Sequence, residues 1–231
     1  MIAQVEHRFS FQYAAMAGTQ PPNDVVISKG RFEAFSDGVF AIAITLLVLE
    51  LHPPDLANPS NGSLVRALLA MWPEFLVYWA SFATIGIVWF NHYALFHNTR
   101  DVTYTALIAN LALLSFVCFV PFTTLLIARE GMIPIATALY GIVLLLLSAC
   151  YNVLLYVVML PPGERGTFMG FLRQRNAWNT LGPVVYAGGT LLAFVSPLAS
   201  ILLFSAIAVF YLLPGTVRST LESTGGADTS T

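Results

Sequence analysis

Arg31, Ser36 and Asp37 have side chains capable of chemistry, and they stand at the start of a long apolar run. Charged groups beside a membrane-length apolar segment are costly, so they are usually paired or functional. Trp89, Asn91 and His92 are candidate partners, and of these Trp89 and His92 share a helix face because they are three residues apart. We therefore predict one hydrogen-bonded network of Arg31, Ser36, Asp37, Trp89 and His92, which would satisfy several buried polar groups together.

Simpler roles stay open for the same residues. Ser36 or Asp37 could cap the apolar helix that follows, where the helix dipole favours a carboxylate. A histidine at the end of a membrane helix is more often a structural hydrogen-bonding group than a proton shuttle, so the structural role is favoured for His92.

The composition indicates an integral membrane protein. The chain has 231 residues, of which 57% are hydrophobic and 10% charged, and its mean hydropathy is +0.75. Soluble domains carry about 25% charged residues, so this chain has too few to cover a surface that faces water. We expect no nucleic-acid partner because no basic patch is present. Cys118 and Cys150 lie in apolar runs without neighbouring metal-ligand residues, so we expect no resident metal or cofactor.

Six segments are apolar enough to predict membrane-spanning helices, which need about 20 residues each. They run from about Phe35 to Leu51, Leu68 to Phe90, Thr103 to Ile127, Ile133 to Leu160, Ala177 to Val195 and Pro197 to Leu213. The fold class predicted is therefore an all-α integral membrane protein. The split between the last two helices depends on Ser196-Pro197.

Basic residues predict the orientation of these spans. With a cytoplasmic N-terminus, Arg66 and Arg129 lie outside, and the other eight of the ten basic residues lie inside. We predict a cytoplasmic segment over 1–30 that is no signal peptide, a six-helix domain over 31–215 and a disordered cytoplasmic tail over 216–231. The loop His52 to Leu64 is long and has no predicted role. The basic segment Pro161 to Asn176 is interpreted as a plain cytoplasmic loop rather than an interfacial one.

The first helix has one face without charge. At about 100° per residue, Gly38, Ile42, Thr45, Leu46 and Leu49 fall on one stripe, and Ser36 and Asp37 point away from it. Periodicity alone favours helix packing or lipid contact for this stripe. The alternative is that symmetric copies of the helix surround a pore, since hydrophobic constrictions can gate channels.

The motif Arg31-x-x-x-Phe35-Ser36-Asp37-Gly38 opening the first span resembles the signature of the transmembrane-protein-175 potassium channel family. The chain is similar to its bacterial members, which have one six-helix unit where animal lysosomal members carry two. The resemblance extends from Arg31 to about Leu213 in helix count, orientation and the region around Trp89 and His92.

This resemblance implies a homotetramer in the inner (plasma) membrane, with the first helices lining a potassium-preferring cation pore. It implies a constriction at Ile42, Leu46 and Leu49 and a selectivity layer at Thr45. The motif residues would form a structural network outside the pore; they are Arg31, Phe35, Ser36, Asp37, Trp89 and His92. The family lacks the Thr-Val-Gly-Tyr-Gly filter of ordinary potassium channels, and this sequence lacks it too.

Three other functions are weighed against a channel. A proton-coupled or other secondary transporter needs an ionisable residue near the middle of the membrane, whereas Asp37, Glu50, Glu74 and His92 all fall near predicted helix ends. A membrane enzyme needs a nucleophile–base pair or a metal cluster, and the sequence shows neither, so we predict that the chain is not an enzyme. A purely structural membrane protein remains open.

Overall fold

The computed structural model describes residues 28–97, 99, 101–160, 166–174 and 177–212. These residues form eight α-helices in chain order. They are α1 (Lys29–Leu49), α2 (Asn61–Ala70), α3 (Trp72–His97), α4 (Tyr104–Glu130), α5 (Pro134–Met159), α6 (Phe168–Gln174), α7 (Ala177–Leu192) and α8 (Pro197–Leu212). The predicted tail 216–231 and most of the predicted segment 1–30 lie outside the described residues.

Among the described residues, four helices are long and apolar enough to cross a membrane, namely α1, α3, α4 and α5. The predicted division of the last apolar region is confirmed, because α7 ends at Leu192 and α8 begins at Pro197. Each of these two helices has 16 residues. At 1.5 Å per residue that is about 24 Å, less than the ~30 Å hydrocarbon core, so six spans stay a prediction.

The start of α1 corrects one sequence interpretation. The helix begins at Lys29, six residues before the predicted start at Phe35, because its charged first turns lie on exposed or half-buried positions and cost little there. Ser36 and Asp37 are therefore inside the helix, two turns from its end. Neither caps it, so the alternative that Ser36 or Asp37 caps α1 is wrong.

The segment between α1 and α3 also differs from the prediction. The second span starts at Trp72 rather than Leu68, and it continues to His97 rather than ending at Phe90. Leu68 belongs instead to the separate helix α2, whose N-terminus is fixed by reciprocal hydrogen bonds between Ser60 and Ser63. Such a capping box satisfies backbone N–H groups that the first helical turn leaves free.

The helices pack in two connected groups. In the first group, α1 packs against α3 and α4, and α4 packs against α5. In the second, α7 and α8 pack against each other, with α5 and α3 beside them. Buried hydroxyl groups link α3, α4 and α5, since Ser81 Oγ lies 2.7 Å from Thr124 Oγ1 and 3.0 Å from the Tyr140 hydroxyl. The candidate site lies in the first group.

Candidate functional site

α1 has two faces with different surroundings. Phe32, Ser36, Phe40, Ala43 and Leu47 are buried against the rest of the subunit and recur every three to four residues. The opposite side of the helix is exposed along its whole length in the single subunit. A helix that contacts its own subunit on one side only leaves the other side for lipid, for neighbouring subunits or for a pore.

The predicted stripe lies on this exposed side. Ile42, Leu46 and Leu49 are 61%, 41% and 68% exposed, and Gly38 and Thr45 are exposed as well. Thr45 and Gly38 lie nearly opposite the centre of the buried face, whereas Leu46 lies toward one flank. The stripe contains no charged side chain, so it cannot hold an ion through an opposite charge.

Thr45 carries the one hydroxyl group on the stripe, and this hydroxyl donates its hydrogen to the helix backbone. Thr45 Oγ1 donates a hydrogen bond to the carbonyl oxygen of Ile42 at 2.9 Å. A hydroxyl oxygen that donates to its own helix keeps its two lone pairs as acceptors. The exposed side of α1 therefore presents oxygen lone pairs at one level, between apolar layers.

The buried side carries a hydrogen-bonded chain across three helices. Asn110 on α4 donates from Nδ2 to Ser36 Oγ at 2.9 Å, and Asn110 Oδ1 lies 2.9 Å from His92 Nε2 on α3. Ser36 Oγ in turn donates to the carbonyl oxygen of Phe32 at 3.0 Å. All three linked side chains are at most 2% exposed, so each depends on this chain for its partners.

Aromatic rings enclose His92 in this chain. Its imidazole lies 4.7 Å from the ring of Phe96, 5.5 Å from that of Phe40 and 6.1 Å from that of Phe32, between ring centroids. This packing excludes water from the imidazole. The arrangement suits a structural histidine, as the sequence favoured.

A second polar contact lies at the edge of the exposed side. Trp89 Nε1 donates to Asp37 Oδ1 at 2.9 Å, and both residues are exposed in the single subunit. The structure thus brings Ser36 and His92 together through Asn110, and it pairs Asp37 with Trp89 separately. The five residues that the sequence placed in one network fall into different groups.

Arg31 and Phe35 belong to neither group. Both side chains are exposed, and within the described part of the chain the Arg31 guanidinium makes no hydrogen bond or ion pair. The nearby ion pair is that of Lys29 with Glu33, at 3.7 Å. The two motif residues therefore face away from the core of their own subunit.

Asn110 is the member of the hydrogen-bonded chain that the sequence did not lead us to predict. It is the one amide in the apolar run Leu107 to Leu114, and a lone amide inside a membrane helix is a visible signal. The described residues contain no group of three or more His, Cys, Asp or Glu side chains that could hold a metal ion. The hydrogen-bonded chain of Ser36, Asn110 and His92 therefore supports α1 against α3 and α4.

Comparison with known proteins gives one family. The model of the family described as "Endosomal/lysosomal potassium channel TMEM175" matches residues 31–121, which include α1 from Arg31 onward, the whole of α3 and the Asn110 turn of α4. A potassium channel of Chryseobacterium sp. (strain P1-3) is 34% identical over 188 residues, covering 81% of this chain and 94% of that protein.

Further relatives extend the match to structure and to animals. The crystal structure of a lysosomal potassium-selective channel TMEM175 homolog from Chamaesiphon minutus superposes with a TM-score of 0.66 at 33% identity, covering 79% of this chain and 95% of that one. The endosomal/lysosomal proton channel TMEM175 of Rattus norvegicus is 34% identical over 210 residues, covering 81% of this chain and 39% of that protein.

Proposed function

This chain belongs to the TMEM175 family of cation channels as a bacterial-type, multi-pass membrane member, and from that membership we propose that four copies form a potassium-preferring channel. In this proposal the α1 helices of the four subunits surround the pore. The channel lies in the plasma membrane with both termini in the cytoplasm, and it conducts passively without a Thr-Val-Gly-Tyr-Gly filter.

The observation that carries the proposal is the division of α1 into two faces. Its buried face is held by the hydrogen-bonded chain of Ser36, Asn110 and His92, whereas its exposed face from Gly38 to Leu49 is uncharged and centred on Gly38, Ile42, Thr45 and Leu49. Fourfold symmetry would bring four copies of that face around one axis. The flank residues Asp37 and Leu46 would then lie nearer to neighbouring subunits.

The closed state in this mechanism is dry. Ile42, Leu46 and Leu49 supply no hydrogen-bonding group, and an ion stripped of water in an apolar ring loses hydration energy without compensation. A ring of these side chains would therefore block ions by dewetting until the helices move apart. Opening must admit a partly hydrated ion.

Thr45 gives the open pore its preference for potassium. Because its hydrogen is held by Ile42, each Thr45 oxygen faces the axis as an acceptor and can replace one water of the ion's shell. Four neutral hydroxyl groups coordinate weakly compared with stacked rings of carbonyl oxygens. We expect a modest preference for potassium over sodium.

A proton-conducting channel is the second candidate, since the animal relatives are named proton channels. Secondary transport is less well supported, because Asp37 and His92, which lie deepest in the spanning helices among the described carboxylates and histidines, already bond Trp89 and Asn110. Proton flux measured beside potassium flux in the same liposomes separates these candidates.

Ion flux through the reconstituted protein tests the pore assignment. Replacing Ile42 by Asn or Leu46 by Ala should raise potassium flux by about tenfold, equivalent to lowering the barrier by ~1.4 kcal/mol, since each change weakens the dry ring. Ile135→Asn and Leu202→Ala make the same changes at exposed positions outside α1 and should leave flux unchanged. Equal currents from all four variants and the parent would refute the assignment.

A further inference from the structure

The turn between α7 and α8 carries large apolar side chains, whereas turns usually carry small polar ones. It runs from Ala193 to Ser196 and joins two helices of 16 residues each. Leu191, Phe194 and Val195 are 73%, 63% and 83% exposed in the subunit. Exposed apolar side chains that are grouped in this way mark a surface that contacts lipid or another protein.

The sequence on both sides of this turn contains no charged residue. No Asp, Glu, Lys, Arg or His occurs between Arg175 and Arg218. The turn between α4 and α5 differs, because it directly follows Arg129 and Glu130, which are both exposed. A charged side chain is costly inside the bilayer, so these two residues place the α4–α5 turn at the boundary with water. The α7–α8 turn has no residue that would require such a position.

The two turns lie on the same side of the subunit, because α5 and α7 run antiparallel. A Cβ placed on Gly141 of α5 would lie 3.3 Å from Thr190 Cα on α7. Seven residues further along α5, Ser148 Oγ lies 3.4 Å from the position of a Cβ on Gly182, which is eight residues back along α7. The end of α7 therefore points toward the same surface as the start of α5.

α7 ends below the start of α5 on this side. From the level that Gly141 and Thr190 share, α5 rises seven residues, or about 10 Å, to its first residue Pro134. α7 rises two residues, or about 3 Å, to its end at Leu192. The three further residues to Val195 add about 6 Å at the ~2 Å per residue of a tight helical turn. The tip of the α7–α8 hairpin therefore does not rise above the start of α5.

The backbone of the turn is hydrogen-bonded within the hairpin. The N–H groups of the four residues Ala193 to Ser196 donate to carbonyl oxygens in the last turn of α7, at 2.8–3.3 Å. The next residue, Pro197, has no N–H group, and Ser196 Oγ accepts from the N–H of Ala199 at 3.3 Å. Backbone groups can lie in hydrocarbon only when the protein itself satisfies them. The N–H groups of this turn meet that condition without water.

We propose that the tip of the α7–α8 hairpin lies among the lipid acyl chains of the outer leaflet, where Leu191, Phe194 and Val195 contact lipid. The predicted orientation places this tip on the outer side. α7 and α8 pack against α5 and α3, whereas α1 packs against α3 and α4, so in the channel proposed above the hairpin lies away from the central axis. This last step rests on the proposed function, and it makes lipid the neighbour of the tip.

Spin labels on single cysteines locate the tip in the bilayer. The full-length protein with Cys118→Ala and Cys150→Ala is reconstituted in liposomes, and a label is attached at Val195→Cys or Leu191→Cys. Collisions of the label with oxygen, which dissolves in lipid, are compared with collisions with a neutral nickel chelate, which stays in water. The ratio of the two collision rates reports the surroundings of each label.

Two further positions calibrate this ratio. Glu130→Cys is the control for water, because Glu130 is exposed beside the α4–α5 turn on the same side of the subunit. Leu202→Cys is the control for lipid, because Leu202 is 50% exposed within α8. The oxygen-to-nickel ratio at Val195→Cys should exceed that at Glu130→Cys at least about fivefold, because the polar chelate does not enter hydrocarbon. Leu191→Cys lies further from the tip, so its ratio should be closer to that of Leu202→Cys.

Reaction with a charged maleimide gives a second measurement on the same cysteine variants without the label. The thiolate is the reactive form, and it does not form in hydrocarbon. Val195→Cys should therefore react at least about tenfold more slowly than Glu130→Cys. Equal rates would place the tip in water and overturn the proposal.

The collision rates provide the other results that would overturn it. An oxygen-to-nickel ratio at Val195→Cys equal to that at Glu130→Cys would again place the tip in water. Low collision rates with both reagents at Val195→Cys would place the tip against protein, which excludes lipid contact. None of these measurements uses ion flux. Absence of potassium flux would refute the channel function and leave the collision rates unchanged, so the two failures are distinguishable.

Discussion

The buried and exposed faces of α1 differ both in their residues and in what surrounds them. The buried face contains Ser36 and two phenylalanines, and it contacts α3 and α4 through hydrogen bonds and ring packing. The exposed face contains Gly38, Ile42, Thr45 and Leu49, and its hydroxyl bonds only to its own helix. On the buried face, the Ser36 hydroxyl both donates and accepts a hydrogen bond within the subunit. The residues on the exposed face can contact other copies of the subunit.

In the proposed channel, the buried polar residues of α1 support the helix and do not mark the ion path. A buried hydroxyl, amide and imidazole satisfy one another and fix the position of the helix. An ion would have to break those bonds to use the same groups. In the proposed channel, the path is lined instead by the exposed side chains of α1, whose one hydroxyl already bonds to its own helix.

The largest effect that separates the two faces should come from Asn110→Leu. The change removes the partner of His92 Nε2 and one of the two partners of Ser36 Oγ, whose bond to the carbonyl oxygen of Phe32 remains. We expect the free energy of unfolding to fall by about 2–3 kcal/mol and the Tm by roughly 5 °C or more. Thermal unfolding in detergent, with the tetramer fraction from size-exclusion chromatography, measures this.

Ser115→Ala is the matched control for Asn110→Leu, because Ser115 lies exposed on the same helix and donates only to Ala112 within the described residues. It should leave the Tm within about 1 °C of the parent value. If Asn110→Leu altered ion selectivity and kept the parent Tm, the hydrogen-bonded chain would belong to the pore, and the contrast between the faces would fail.

The sequence predicted the ends of a helix accurately where residues beside that end mark it. The predicted bounds of the third and fourth spans agree with α4 and α5 within three residues, because Thr103 caps α4 and Pro134 opens α5. The start of α1 was placed too late, because hydropathy alone excludes Lys29, Arg31 and Glu33. Those residues are helical all the same, since their side chains avoid the core.

The candidate site was predictable in part. Helical periodicity places Ser36 and the stripe on opposite sides of α1, which needs no tertiary information. The link through Asn110 was not predictable, because Asn110 is 74 residues from Ser36 and no local pattern says that α4 packs beside α1. The surroundings of the exposed stripe depend on the other subunits. The pattern of one helix therefore does not show whether the stripe contacts lipid or lines a pore.

A matched pair of leucines gives the next effect in size. Leu47 is 0% exposed and Leu49 is 68% exposed, two residues apart on α1. Leu47→Ala should lower the free energy of unfolding by about 2 kcal/mol, at the low end for such changes, because lipid is as apolar as leucine and only the packing is lost. Thermal unfolding provides the measurement.

Leu49→Ala serves as the counterpart on the exposed face. It should change stability by less than about 0.5 kcal/mol, as most exposed substitutions do, and should raise potassium flux because it widens the proposed constriction. Similar losses of stability at Leu47 and Leu49 would mean that both faces are packed against protein. The division of α1 would then be a property of the isolated subunit and not of the channel.

Thr45 should give the smallest effect, and the one that is most specific to the exposed face. Thr45→Val keeps the shape of the side chain and removes its oxygen, whereas Thr45→Ser keeps the oxygen and its bond to Ile42. Losing one weak oxygen ligand per subunit should reduce the potassium-to-sodium permeability ratio about threefold, or ~0.6 kcal/mol, comparable to a hydrogen bond between membrane helices. Reversal potentials under a potassium/sodium gradient measure the ratio.

Thr45→Ser should retain the parent ratio, because a hydroxyl that donates to Ile42 presents the same lone pairs with or without the neighbouring methyl group. Equal loss of preference in both variants would assign the selectivity to pore width rather than to the oxygen, and the exposed face would then act by its shape alone.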